Sequence, residues 1–249
     1  MDDTMNRPCI VVGASGDLGA AVARRLLREN RRMVLTSTQL ANPKVVQVLQ
    51  DKASSDRVMW SQMDVRDTAS VNAGIESARS FLGPSYDLVY CAGIVRDAPI
   101  ALASDESWES TFQINLRGAF FVLRAAARDL MVAGNARVVL VSSVSGQLAN
   151  PGQAAYAASK AGLDALARVA ASEFGRFGVC VNTIAFGAME GSLIRSANYK
   201  LPAKVAEVAP LRRLASSDEC AEAVAALLGP AGSYITAQAV VVDGGFSAV

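Results

Sequence analysis

Short apolar runs recur along this chain, and longer helical patterns separate them. The runs are CIVVG (9–13), RMVLTS (32–37), RVMWSQMD (57–64), DLVYCAG (87–93), ARVVLVSS (136–143), GVCVNTIA (178–185) and QAVVVDGG (238–245). Most are continuously apolar, as strands buried on both faces must be. Between them, DLGAAVARRLLREN puts Leu18, Val22 and Leu26 on one helix face, and NPKVVQVLQDKA starts with Asn42 as N-cap and Pro43 at the first helical position. Segments 105–133 and 153–176 are long enough for major helices. This alternation predicts an α/β fold, a doubly wound parallel sheet of about seven strands with right-handed crossovers. No linker-like tract interrupts it, so residues 1–249 read as one domain. The exception is 187–215, which lacks a clear strand and reads as a lid on the substrate side of a cleft.

Composition narrows the chemistry mainly by what is missing. The chain has no histidine. That excludes Ser-His-Asp hydrolysis, Cys-His proteolysis and His-ligated zinc, and no metal site is expected. Acid–base work must fall to Tyr, Lys, Asp, Glu or Ser. The four cysteines, Cys9, Cys91, Cys180 and Cys220, are far apart and form no CxxC pair, so they read as buried free thiols. A formal net charge of +1 argues against a nucleic-acid or membrane-surface partner. No apolar run approaches the roughly 20 residues of a membrane span. The opening MDDTMNRP has no signal-peptide pattern, so a cytoplasmic location is expected.

Gly13, Gly16 and Gly19 follow the first strand and open the first helix. Glycine lets the backbone approach a pyrophosphate, and the helix N-terminus offers unpaired N–H groups with partial positive charge, as in a Rossmann-type fold. Asp17 puts a carboxylate in this loop. Aimed at a phosphate it would be repelled; turned back it would cap the helix, so it reads as a helix-start residue.

In SSVSGQLANPGQAAYAASKAG (142–162), Tyr156 and Lys160 are four positions apart and share one helix face. The Lys160 charge is expected to lower the phenol's pKa and make Tyr156 a usable proton donor. Ser143 ends the preceding strand, where its hydroxyl can polarise a carbonyl.

These residues carry a resemblance to the short-chain dehydrogenase/reductase family, and within it to the 3-oxoacyl-thioester reductases. It rests on the glycine loop, Asp64-Val65, Cys91-Ala92-Gly93, Asn115 in INLRG, Ser143, Tyr156xxxLys160, Asn182-Thr183-Ile184 and Asp243-Gly244-Gly245, spread over nearly the whole chain. The resemblance implies that Tyr156 is the general acid in reduction and Ser143 holds the substrate oxygen. It implies that Lys160 binds the nicotinamide ribose and tunes Tyr156, while Asn115 supports a proton relay through Lys160. It further implies a dinucleotide site formed by Gly13, Ser15, Gly16, Asp17, Leu18, Gly19, Thr36, Ser37, Thr38, Asp64, Val65, Cys91, Ala92, Gly93, Tyr156, Lys160, Phe186 and Gly187. The chain departs from the family pattern at three points. Asp17 takes the middle glycine position, Cys91 stands for an asparagine, and Phe186 stands for a proline and would add an apolar wall near the nicotinamide.

An acidic residue after the second strand would accept ribose hydroxyls and repel a 2′-phosphate. None occurs between Arg31 and Gln50, where the strand ends in Thr36-Ser37-Thr38-Gln39. That favours NADP(H) over NAD(H), with Lys44 the nearest downstream cation. The similarity around 93–121 implies a β-ketoacyl thioester on CoA or on an acyl-carrier protein. A carrier is acidic, so Arg176, Arg195, Lys200, Lys204, Arg212 and Arg213 are candidate contacts. The alternatives are a dehydrogenase of a small alcohol, sugar or steroid, and a nucleotide-binding regulator without turnover. Small residues along 153–170 permit close helix packing, and the resemblance implies a homotetramer.

Overall fold

The computed structural model describes residues 6–39, 56–191 and 207–248. All seven expected strands form: β1 Cys9–Val12, β2 Met33–Ser37, β3 Val58–Gln62, β4 Asp87–Tyr90, β5 Arg137–Ser143, β6 Cys180–Phe186 and β7 Ala239–Val242. They make one sheet in the order β3-β2-β1-β4-β5-β6-β7, and every neighbouring pair is parallel. β1, β2 and β4 are buried along their whole length. That is why they carry consecutive apolar residues rather than an alternating pattern, with the polar Thr36, Ser37 and Asp87 confined to strand ends.

Two helical layers sandwich the sheet. On one face lie α1 (Asp17–Arg28) and α6 (Ser217–Leu228), whose Leu26, Val22, Val224 and Leu228 meet Val11 and Leu35 of the sheet in one core. On the other lie α2 (Thr68–Leu82), α4 (Gly118–Ala133) and α5 (Ala154–Phe174), with Ile75, Leu130 and Leu163 packed on Ile10, Leu88 and Leu140. The chain reverses its winding between β1 and β4, so their loops diverge at the C-terminal edge and leave a crevice.

At the opposite edge, Arg31 pairs with Asp87, both almost wholly buried. Arg31 Nε also donates to the Arg7 carbonyl at 2.6 Å, and the Arg137 N–H donates to Asp87 at 2.8 Å. Burial raises the Asp87 pKa, and the Arg31 charge opposes that rise. The network ties the starts of β2, β4 and β5 together.

Segment 105–133 is helical throughout but not uniformly α-helical. It divides into α3 (Asp105–Phe112), a π turn at Gln113–Arg117, and α4. The Tyr90 hydroxyl donates to the Ile114 carbonyl inside that turn. Such a side chain inserted into the helical ladder is a recognised cause of local widening. The helix expected at 42–53 lies outside the described residues. Of segment 187–215, only the two ends are described. They meet where Glu190 N–H donates to the Ala215 carbonyl at 2.9 Å.

Candidate active site

A cleft of about 530 Å³ opens at the C-terminal edge of the sheet. At one end stands the glycine loop. Gly13 and Ala14 N–H groups both donate to the Thr36 carbonyl, at 3.0 and 2.9 Å, which fixes the loop against β2. A β-carbon at Gly19 would stand 2.4 Å from the Gly13 carbonyl oxygen, so no larger residue fits. Helix α1 starts without a side-chain cap. Its first-turn N–H groups therefore face the cleft as an anion site.

Asp17 lies in the first turn of α1, directly after the N-cap Gly16. Its carboxylate points across the cleft toward the segment after β6. A β-carbon at Gly191 would stand 2.7 Å from Asp17 Oδ2.

At the other end, β5 delivers Ser143 and α5 delivers Tyr156 and Lys160. The Ser143 hydroxyl stands beside the Tyr156 phenol, which favours the ionised form. Ser143 is held in turn by the Ser145 N–H, at 3.2 Å. Lys160 is buried, and its Nζ donates to the Val141 carbonyl at 2.7 Å. It lies 5.6 Å from the centroid of the Tyr156 ring.

The electrostatics reverse the expected order of influence. Burial pushes the half-buried Tyr156 phenol up to about 12, and the Asp97 charge adds to the rise against the Ser143 hydroxyl. Lys160 directs its charge to the Val141 carbonyl, and burial takes its own pKa down to about 8, with the nearby Asp164 carboxylate opposing that fall. In this arrangement it is the lysine whose charge state changes near neutral pH.

Two site residues lie behind the cleft wall rather than on it. Thr36 is buried, and its hydroxyl faces the Met63 sulfur at 3.8 Å; its contribution is the carbonyl that holds the glycine loop. Asn115 is fully buried. It accepts from the Ile94 N–H at 2.8 Å and donates to the Ile94 carbonyl at 3.0 Å and to Ser159 Oγ at 3.1 Å. It thus pins the post-β4 loop to α5. No hydrogen bond joins Asn115 to Lys160, but both flank Gly93: a β-carbon there would lie 3.4 Å from Asn115 Oδ1 and 3.6 Å from Lys160 Nζ.

The remaining expected residues line the cleft: Gly13, Ser15, Gly16, Asp17, Leu18 and Gly19 of the loop, Ser37, Thr38, Asp64 and Val65, then Cys91, Ala92, Gly93, Phe186 and Gly187. Lys44 and the lid candidates Arg195, Lys200 and Lys204 lie outside the described residues.

The structure adds residues that motif reading passed over. Gln153 accepts from Ser145 Oγ at 2.9 Å and donates to Asp97 at 3.3 Å, while Asn150 donates to Ser145 Oγ at 3.2 Å. Gln153, three positions before Tyr156, faces the same cleft. Arg66 joins the rim as the partner of Asp64. The i, i+3 spacing was a usable signal for Gln153; nothing local marks Asp97 or Arg66.

The profile of a family described as "Enoyl-(Acyl carrier protein) reductase" matches residues 13–247, from the glycine loop to the last turn. The chain belongs to the short-chain dehydrogenase/reductase family. It is 32% identical over 244 residues to cis-4-hydroxycyclohexanecarboxylate dehydrogenase of Sinomonas cyclohexanicum, covering 98% of this chain and 97% of that one. It is also 32% identical over 236 residues to 3-oxoacyl-[acyl-carrier-protein] reductase FabG of Escherichia coli (strain K12), covering 95% of each. The crystal structure of gox2181 superposes with a TM-score of 0.91 at 30% identity, covering 99% of both chains. As a short-chain dehydrogenase/reductase, the protein is an oxidoreductase that uses a nicotinamide cofactor. The uncapped start of α1 and the closely packed glycine loop fit the pyrophosphate of such a cofactor.

Proposed function

We propose that this protein reduces a 3-oxoacyl thioester, bound to CoA or to an acyl-carrier protein, to the 3-hydroxyacyl thioester with NADP(H). The observation that carries the chemistry is the adjacency of the Ser143 hydroxyl and the Tyr156 phenol at the wall of the cleft, with Lys160 on the same helix face as Tyr156. Ser143 and Tyr156 together make a two-donor site for a carbonyl oxygen. A nicotinamide dinucleotide held in the cleft would supply the hydride. Tyr156 gives its hydroxyl proton to the carbonyl oxygen, and Ser143 holds that oxygen while charge develops on it. The buried ammonium of Lys160 stabilises the tyrosinate left behind, a role its burial strengthens. Lys160 also binds the nicotinamide ribose, and Asn115 supports return of the proton through Lys160.

On this reading Gly13, Ser15, Gly16, Leu18 and Gly19 hold the pyrophosphate. Asp64 and Val65 flank the adenine. Cys91, Ala92, Gly93, Phe186 and Gly187 enclose the nicotinamide end. The absence of a carboxylate on the Thr36–Gln39 stretch supports NADP(H). The similarity to the Escherichia coli reductase supports the thioester substrate. Residues 187–215 would form the substrate-side lid, and the protein would work in the cytoplasm as a homotetramer. No helix among the described residues is long and apolar enough to cross a membrane. Carrier docking cannot draw freely on Arg213, which is forked onto Glu219 at 2.7 and 2.8 Å.

A second reading, dehydrogenation of a small cyclic or secondary alcohol, is favoured by the equal identity to the Sinomonas cyclohexanicum enzyme. One screen separates the two. Acetoacetyl-CoA and an acetoacetyl carrier protein are tested against simple ketones and cyclic hydroxy acids, each with both coenzymes. Turnover of the thioesters at least tenfold more efficient than of the ketones is expected; the opposite ranking selects the alcohol dehydrogenase.

A further inference from the structure

The adenosine end of the cleft holds a cation with no part in the chemistry described so far. Among the described residues that line the cleft, only Arg66 and Lys160 are cationic, and Lys160 belongs to the Tyr156 end. Arg66 follows Gln62 by four positions, and Gln62 pairs with Ser37 across β2 and β3. The Met63 N–H donates to the Ser37 carbonyl at 3.0 Å, so the strand ends stay in register as they leave the sheet. Arg66 and the hydroxyl-bearing Ser37–Thr38 end of β2 therefore stand on adjoining loops of one rim.

The guanidinium is held from one side. Arg66 Nε donates to Asp64 Oδ1 at 2.9 Å and Oδ2 at 3.1 Å, and Nη2 donates to Oδ2 at 2.6 Å. The Arg66 N–H donates to Asp64 Oδ1 at 2.9 Å, and Arg117 Nη2 donates to the Arg66 carbonyl at 3.2 Å. The Arg66 side chain is 54% exposed, and its Nη1 makes no hydrogen bond to a described residue. A fork fixed along one edge offers its remaining N–H donors to an anion at little further entropic cost. The Asp64 carboxylate beside it has both oxygens already engaged by Arg66.

We propose that Arg66 is the specificity-determining residue that reads the 2′-phosphate of NADP(H), and that Asp64 aims it. The assignment rests on the NADP(H) reading above. Because Asp64 balances the charge of Arg66, the gain for the phosphate comes from directed hydrogen bonds rather than from a long-range field. The discrimination is therefore expected to weaken only modestly with salt.

The test is binding, not turnover. Dissociation constants for NADPH and NADH are measured by fluorescence titration with wild type, Arg66→Gln and Arg66→Lys, and adenosine 2′,5′-bisphosphate is compared with AMP as competitor. Arg66→Gln is expected to weaken NADPH at least tenfold and NADH less than twofold. It should also abolish the advantage of the bisphosphate over AMP, and Arg66→Lys should restore part of it. Equal weakening of both coenzymes would overturn the proposal and leave Arg66 as a support for Asp64. No change in NADPH affinity would overturn it too, placing the phosphate contact elsewhere. A wild type that binds NADH more tightly than NADPH defeats the underlying coenzyme reading, and this proposal with it.

Discussion

Lys160 donates to the carbonyl of Val141 at 2.7 Å while its charge sits 5.6 Å from the ring centre of Tyr156. The lysine is therefore anchored to the sheet rather than to the phenol. Both groups are desolvated, and each pKa moves away from its charged form: Tyr156 up to about 12, Lys160 down to about 8.

The pH dependence of the reaction follows from that displacement. Tyr156 keeps its proton across the neutral range, whereas Lys160 loses its charge as pH rises through about 8. For ketone reduction, kcat/KM is expected to fall above pH 8 with unit slope. Lys160→Arg, which stays charged, should be slow but flat over the same range. A wild-type profile level to pH 10 would contradict the assignment.

The same buried charge costs stability. The folded pKa of Lys160 lies near 8 against an ordinary 10.5. Below pH 8 both states are protonated and the full cost is present; between 8 and 10.5 the folded protein sheds the proton first, so the cost fades as pH rises. Lys160→Met is expected to raise unfolding free energy by about 1–3 kcal/mol at pH 7 and by much less at pH 10. Chemical denaturation at the two pH values measures the difference.

Tyr156→Phe removes the proton donor and keeps the ring. Turnover is expected to fall by roughly 10³-fold or more, with NADPH affinity within threefold of wild type. Stopped-flow hydride transfer and fluorescence titration separate the two quantities. Retained single-turnover transfer would show that another group supplies the proton.

Asn115→Ala should act first on the fold. It removes, from a fully buried side-chain position, the partner of both the Ile94 N–H and its carbonyl, while the Ser159 hydroxyl keeps its bond to the Tyr156 carbonyl. A loss of about 1–3 kcal/mol is expected. Hydrogen exchange should show it concentrated in the loop after β4 and the middle of α5. A uniform loss across the protein would argue against the pinning role.

Asp17 and Gly191 make a second local pair. Gly191→Ala places a β-carbon 2.7 Å from the Asp17 carboxylate, at a backbone φ of +153°. It is expected to weaken coenzyme binding several-fold by displacing the end of the segment over the glycine loop. Asp17→Asn is expected to cost about 0.3–1 kcal/mol of stability through the lost charge in the first turn of α1. Thermal unfolding and coenzyme titration of the two variants check both.

Much of the fold was legible because its signals are local. A strand covered on both faces carries consecutive apolar residues, so CIVV and the MVL that opens β2 could be recognised without knowing their neighbours. Tyr156 and Lys160 share a face because any helix places i and i+4 together. The π turn at 113–117 was not legible, since it depends on the hydroxyl of Tyr90, more than twenty positions earlier. The approach of Asp17 to Gly191 was not legible for the same reason, since Gly191 lies beyond the end of β6, far along the chain.

The amino-acid sequence alone determined the strand and helix succession, the glycine loop and the spacing of the candidate acid and its lysine. These follow from steric and periodic rules that act over a few residues. Only the tertiary structure decided that the crevice between the β1 and β4 loops gathers Ser143, Tyr156 and Lys160 at one end and the Asp64–Arg66 fork at the other. It also decided that burial, rather than the neighbouring ammonium, governs the phenol's acidity. Desolvation and long-range pairing depend on what surrounds a group in space, and no local pattern carries that information.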